Sequence, residues 1–82
     1  MSWNYRVLRQ VELGPDGKEM IYYGIHEVYY NSAGVPTTCS INPMSPFGET
    51  FEELVSDLRY FSEALEKPVL DFDSIGEGIE EK

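Results

Sequence analysis

The sequence predicts an α+β domain of order β-β-β-α, a three-stranded antiparallel meander covered by one C-terminal amphipathic helix. Three observations carry this. Residues 3 to 13 alternate like a half-buried strand, two glycine-containing turns separate runs of high β-propensity, and a bounded amphipathic stretch follows from Thr50 to Lys67. With 82 residues there is room for one domain, because a chain of this size buries only roughly 60 to 65% of its unfolded surface.

The odd positions from Trp3 to Leu13 read Trp, Tyr, Val, Arg, Val, Leu, and the even ones are mostly polar, so one strand face is expected to be covered. Gly14-Pro15-Asp16-Gly17 then predicts a hairpin turn, in which proline presets φ and glycine accepts positive φ. Met20 to Tyr30 is rich in Ile, Val and Tyr without a clean alternation, and a bulge near Gly24 is the expected cause of the lost phase. Asn31-Ser32-Ala33-Gly34 supplies a second turn. Val35 to Ile41 can return as a third strand, with Pro36 restricting it to an edge or to its first residues.

Two prolines make residues 42 to 48 a loop. Thr50 and Glu53 form a T-x-x-E capping box, with the hydroxyl accepting from the Glu53 amide and the carboxylate returning to the Thr50 amide. Phe51, Leu54, Val55, Leu58, Phe61 and Leu65 lie within an arc of roughly 120°, the width expected of a helix lying on a sheet. Pro68 stops the helix, and Val69 to Phe72 can pack back as a short fourth extended segment. The domain is thus expected to span residues 1 to 72, with 73 to 82 as a flexible acidic tail.

The formal charge of -9 is uneven. Residues 1 to 47 hold four acids and three bases, whereas 48 to 82 hold eleven acids and three bases, so the charge belongs to the helix and tail. Six basic residues against fifteen acids argue against nucleic acid, whose binding depends on neutralising phosphates. No apolar run approaches the roughly 20 residues of a membrane span. A single cysteine and an N-terminus without a signal-peptide pattern predict a cytoplasmic protein.

No catalytic constellation is visible. His26 and Cys39, each the only residue of its kind, would have to meet in space to make a nucleophile, and the pair is too few for a zinc site. Asp71 and Asp73 are spaced to share a cation only if further oxygens join them. Gly76-Glu77-Gly78 lacks the preceding strand and following helix of a phosphate loop. Neither a cofactor nor a metal is expected.

The candidate partner-binding residues are aromatic and acidic. Trp3, Tyr5, Tyr22, Tyr23, Tyr29 and Tyr30 all sit on expected strands, and one helix covers only one sheet face, so some must face outward, where tyrosine suits a protein interface. Glu52, Asp57 and Glu63 lie on the outer face of the helix and suit a basic partner by steering the encounter.

The stretch Tyr23-Gly24-Ile25-His26-Glu27-Val28-Tyr29-Tyr30, the Gly48-Glu49-Thr50 entry to Glu52-Glu53-Leu54, and Lys67-Pro68-Val69-Leu70 resemble a family of small uncharacterised bacterial proteins. The resemblance covers most of residues 3 to 70 and implies a bacterial stand-alone domain without transferring an activity. Gly48-Glu49-Thr50-Phe51-Glu52-Glu53-Leu54 also resembles the helix entry of the HicB antitoxin domain. The chain lacks the P-D-L-P-G stretch of those antitoxins, so this likeness implies the β-β-β-α order and, as an alternative function, an antitoxin that binds a basic toxin. The leading expectation is a non-enzymatic interaction module or homodimer, contacting a partner through the uncovered sheet face or a strand edge. A small hydrolase or metal-dependent enzyme using His26 is the alternative of a different class.

Overall fold

A computed structural model describes residues 2 to 75. It is α+β, with a mixed four-stranded sheet and one helix. Strands β1 (Ser2–Leu13) and β2 (Glu19–Tyr30) form a long antiparallel hairpin, β3 (Pro36–Cys39) pairs antiparallel on the outside of β2, and helix α1 (Phe51–Ala64) leads to β4 (Leu70–Asp71). The sheet order is β3-β2-β1-β4. The short extended segment expected after Pro68 is therefore a true edge strand, and it runs parallel to β1 through Leu8 and Arg9. A parallel partner requires the chain to cross from one sheet edge to the other, and the loop with α1 makes that crossover.

Both turns use the same chemistry. Gly17 and Gly34 take φ of 82° and 81°, the conformation that glycine adopts without steric cost. Asp16 Oδ1 accepts from the Lys18 amide at 3.1 Å, and Asn31 Oδ1 accepts from the Ala33 and Val35 amides at 2.9 and 3.0 Å. Side-chain oxygens thus replace ladder bonds where each hairpin reverses.

The bulge expected near Gly24 is not there. β1 and β2 stay in register over twelve pairs, from Ser2 with Tyr30 to Leu13 with Glu19, and the irregularity lies between Tyr29 and Tyr30 against β3. Gly24 answers to a different need: a Cβ there would stand 3.1 Å from Pro43 Cβ and Cγ. The missing alternation in β2 arises because both sheet faces are partly covered. His26 and Val28, which share a face with Leu8 through the pairing, are fully buried, and Phe72 lies 5.7 Å from His26 between ring centroids. On the opposite face Tyr5 packs on Phe61 of the helix at 4.4 Å.

The helix begins where its cap predicts. Thr50 has extended φ and ψ, and its hydroxyl accepts from the Glu53 amide at 3.1 Å. The Glu53 carboxylate reaches back one residue farther than a capping box requires, accepting from the Glu49 amide at 2.9 Å instead of the Thr50 amide. Regular helix ends at Ala64, short of the expected Lys67. Tighter bonds follow from Leu65, Glu66 and Lys67 to Ser62, Glu63 and Ala64, as suits a chain approaching a proline that disfavours helix in the residue before it.

The helix is rolled relative to the stripe expected to bury it. Phe61 and Ala64 are its buried residues, and Asp57 on the same side bonds to Tyr5, while Phe51 is 75%, Leu65 69% and Leu58 48% exposed. The polar anchor explains the roll: one Asp57 oxygen accepts from Tyr5 Oη at 3.1 Å and the other from the Phe47 amide at 2.9 Å. Asp57 must therefore face inward, which turns half of the apolar stripe outward. Of the expected acidic tail, Asp73 and Ser74 belong to a 3-10 turn over Phe72–Ser74, with Ser74 Oγ donating to the Asp71 carbonyl at 2.9 Å; residues 76 to 82 lie outside the described residues.

Candidate functional site

Trp3 and Tyr5 project from the same face of β1, two residues apart, and their rings meet edge to face at 5.3 Å. Trp3 also stands 6.3 Å from Tyr29, its cross-strand neighbour. Opposite them, Tyr60, Glu63 and Lys67 descend one side of α1 and its last turn at spacings of three and four residues. Between the two elements lies a groove of about 420 Å³ lined by Trp3, Asn4, Tyr5, Tyr60, Glu63 and Lys67. The edge of β1 over this stretch is open, because β4 covers only Leu8 and Arg9.

Of the sequence candidates, the structure brings Trp3, Tyr5 and Glu63 together here and Tyr29 beside them. Tyr23 shares their face but is 61% exposed farther along the hairpin. Tyr22 and Tyr30 lie on the other face. Tyr30 Oη donates to Asn4 Oδ1 at 2.7 Å and accepts from the Arg6 guanidinium at 3.0 Å, a buttress between strands, while Arg6 also donates to the Pro68 carbonyl at 2.8 Å. The aromatic residues are thus divided between faces, and no single uncovered tyrosine face exists. Glu52 is exposed at the start of the helix, far from Glu63, and lines a shallower depression with Phe47, Ser56 and Tyr60. Asp57 is corrected: it is not an outward acid, since both its oxygens are engaged within the chain. Sequence reading missed Tyr60 and Lys67, although their spacing from Glu63 is the signal that places all three on one flank.

The electrostatics follow from these contacts. Burial, and then the hydrogen bond to the Asp57 carboxylate, pushes the Tyr5 phenol up from 10.0 to about 12. Hydrogen bonds to Glu27 and Glu12 raise Tyr29 and Tyr22. The folded state therefore favours the protonated Tyr5 phenol, a contribution that is complete below pH 10 and lost as pH rises from about 10 to about 12. Phenolate absorbance should show one of the six tyrosines ionising last, together with the onset of alkaline unfolding, and Tyr5→Phe should remove that step. Persistence of the last step in Tyr5→Phe would show that Tyr5 is not the shielded phenol.

The residues weighed for chemistry do not converge on it. His26 is fully buried and its Nδ1 lies 2.9 Å from the Ser40 carbonyl, which only an Nδ1–H can satisfy, so that nitrogen is a donor and not a base. Ser40 Oγ, 3.3 Å from the same nitrogen, donates to the Asn42 carbonyl. Burial pushes the Cys39 thiol up, opposite to the shift that activates a nucleophile. Asp71 faces Arg9 at 3.4 Å, and among the described residues no group of three or more His, Cys, Asp or Glu is placed to hold a metal ion. Among the same residues, no helix is long and apolar enough to cross a membrane.

The chain matches no family model, no curated protein and no solved structure.

Proposed function

We propose that the chain is a non-enzymatic protein-interaction module whose first partner is a second copy of itself. One observation carries the reading. Among the described residues only Leu8, Val28, Phe61 and Ala64 are buried apolar side chains, whereas thirteen large hydrophobic residues are at least 48% exposed. Isolated exposed hydrophobics are ordinary, but so many beside so small a core give a chain little with which to offset the entropy of folding alone. Association that buries part of this surface adds stability to a marginal folded monomer, and a two-fold pair is the simplest closed arrangement.

The buried His26 with its Nδ1–H given to the Ser40 carbonyl, the engaged Asp57 and the raised Cys39 thiol favour binding over chemistry, because that nitrogen and both carboxylate oxygens are held in internal hydrogen bonds and burial disfavours the thiolate. Sedimentation or light scattering across a wide dilution series should report twice the 9.4 kDa chain mass at high concentration, with melting temperature rising with concentration. A 9.4 kDa species with a concentration-independent melting temperature throughout would overturn the proposal.

A further inference from the structure

The roll of α1 leaves Phe51, Val55, Leu58, Ser62 and Leu65 along one line, separated by four, three, four and three residues. That is the spacing of a heptad seam, the pattern by which one helix receives another, and it is narrower than the stripe needed for a sheet. Phe51, Ser62 and Leu65 are exposed, Leu58 nearly half exposed and Val55 half-buried. The neighbouring flank of the helix, at Leu54 and Phe61, turns towards the sheet, so the seam is beside the intramolecular contact and separate from it.

We infer that α1 pairs antiparallel with α1 of a second copy along this seam, an inference that rests on the self-association proposed above. Size and charge select the register. With the two-fold axis between Ser56 and Asp57, Phe51 of each copy lies opposite Ser62 of the other, the largest seam residue filling the space left by the smallest, and Val55 lies opposite Leu58. The same register sets Arg59, the only cation within Phe51–Ala64, against Glu52 of the second copy, twice by symmetry. Among the described residues Arg59 makes no ion pair within its own chain. Parallel pairing would instead turn the flank of Arg59 and Glu52 of each copy towards the Leu54 and Phe61 flank of the other, which already faces that copy's own sheet. In an antiparallel pair the two sheet-facing flanks fall on one side, so both sheets pack beneath the helix pair and the charged flank faces solvent.

Three single variants and one double variant test the inference by sedimentation equilibrium and circular dichroism. Leu58→Glu places a charge in the seam and should raise the dimer dissociation constant by roughly 100-fold or more while the monomer keeps its far-ultraviolet spectrum. Arg59→Glu and Glu52→Arg should each weaken the dimer several-fold, and the double exchange should restore it, which a nonspecific loss of fold would not do. If the wild type dimerises and Leu58→Glu leaves it unchanged, the seam is wrong and another surface pairs. Failure of the double exchange to recover affinity overturns the antiparallel register. A wild type that is monomeric throughout overturns the self-association on which the inference rests.

Discussion

Gly48→Ala should lower stability by roughly 2 to 4 kcal/mol, enough to leave a small domain close to unfolding. Gly48 does not have positive φ, so alanine is compatible with its backbone conformation. In open space the exchange would stabilise by about 0.4 to 1 kcal/mol, through the smaller entropy of the unfolded chain. The surroundings reverse that sign. A Cβ at Gly48 would stand 2.7 Å from the Glu53 carbonyl carbon, 2.9 Å from Glu53 Cβ and closer still to the Leu54 amide nitrogen. Two of these are backbone atoms of the first helical turn, which cannot move aside as a flexible side chain does. Relief would require the loop to lift away, weakening the bond from the Phe47 amide to Asp57 and with it the link from Asp57 to Tyr5. Denaturant unfolding followed through Trp3, the single tryptophan, measures the change, and a variant as stable as the parent would show that the loop does not cross the helix there.

Gly48 also marks what could be read in the sequence and what could not. Turns, capping and strand boundaries depend on neighbours in the chain, so Pro15 to Gly17, Asn31 to Gly34 and Thr50 with Glu53 could be assigned from residue types alone. The order β-β-β-α and the edge position of β3 follow from the same local signals. What could not be read depends on contacts distant in sequence. The phase of β2 is hidden because His26 and Val28 are buried on one face while Tyr29 packs beside Trp3 on the other. The parallel pairing of β4 with β1 rests on two residue pairs more than sixty positions apart. The roll of the helix is set by Asp57, a residue whose type predicts solvent and whose two hydrogen bonds require the interior. Trp3, Tyr5 and Glu63 could be singled out from the sequence one at a time, but their meeting in one groove follows from that roll.

Phe61→Ala should cost about 3 to 5 kcal/mol, and Leu58→Ala, less than one turn earlier, about 1 kcal/mol or less in the monomer. Hydrophobic periodicity treats the two as equivalent members of one stripe, and the structure separates them. Phe61 is 7% exposed with its ring 4.4 Å from Tyr5, whereas Leu58 is 48% exposed. Removing the Phe61 ring opens a cavity that Leu8, Val28 and Ala64, the other buried apolar side chains among the described residues, cannot refill, and it uncovers one side of Tyr5. Two measurements should therefore move together in Phe61→Ala: the unfolding free energy falls, and the Tyr5 phenol, no longer shielded, ionises nearer its ordinary range. In Leu58→Ala neither should change appreciably at concentrations where the chain is monomeric, while the dimer should weaken if the seam is the interface. Equal losses of monomer stability at the two positions would mean that Leu58 is buried in the fold as the periodicity predicts. The helix would then have no free face to offer, and the seam between two copies would not exist.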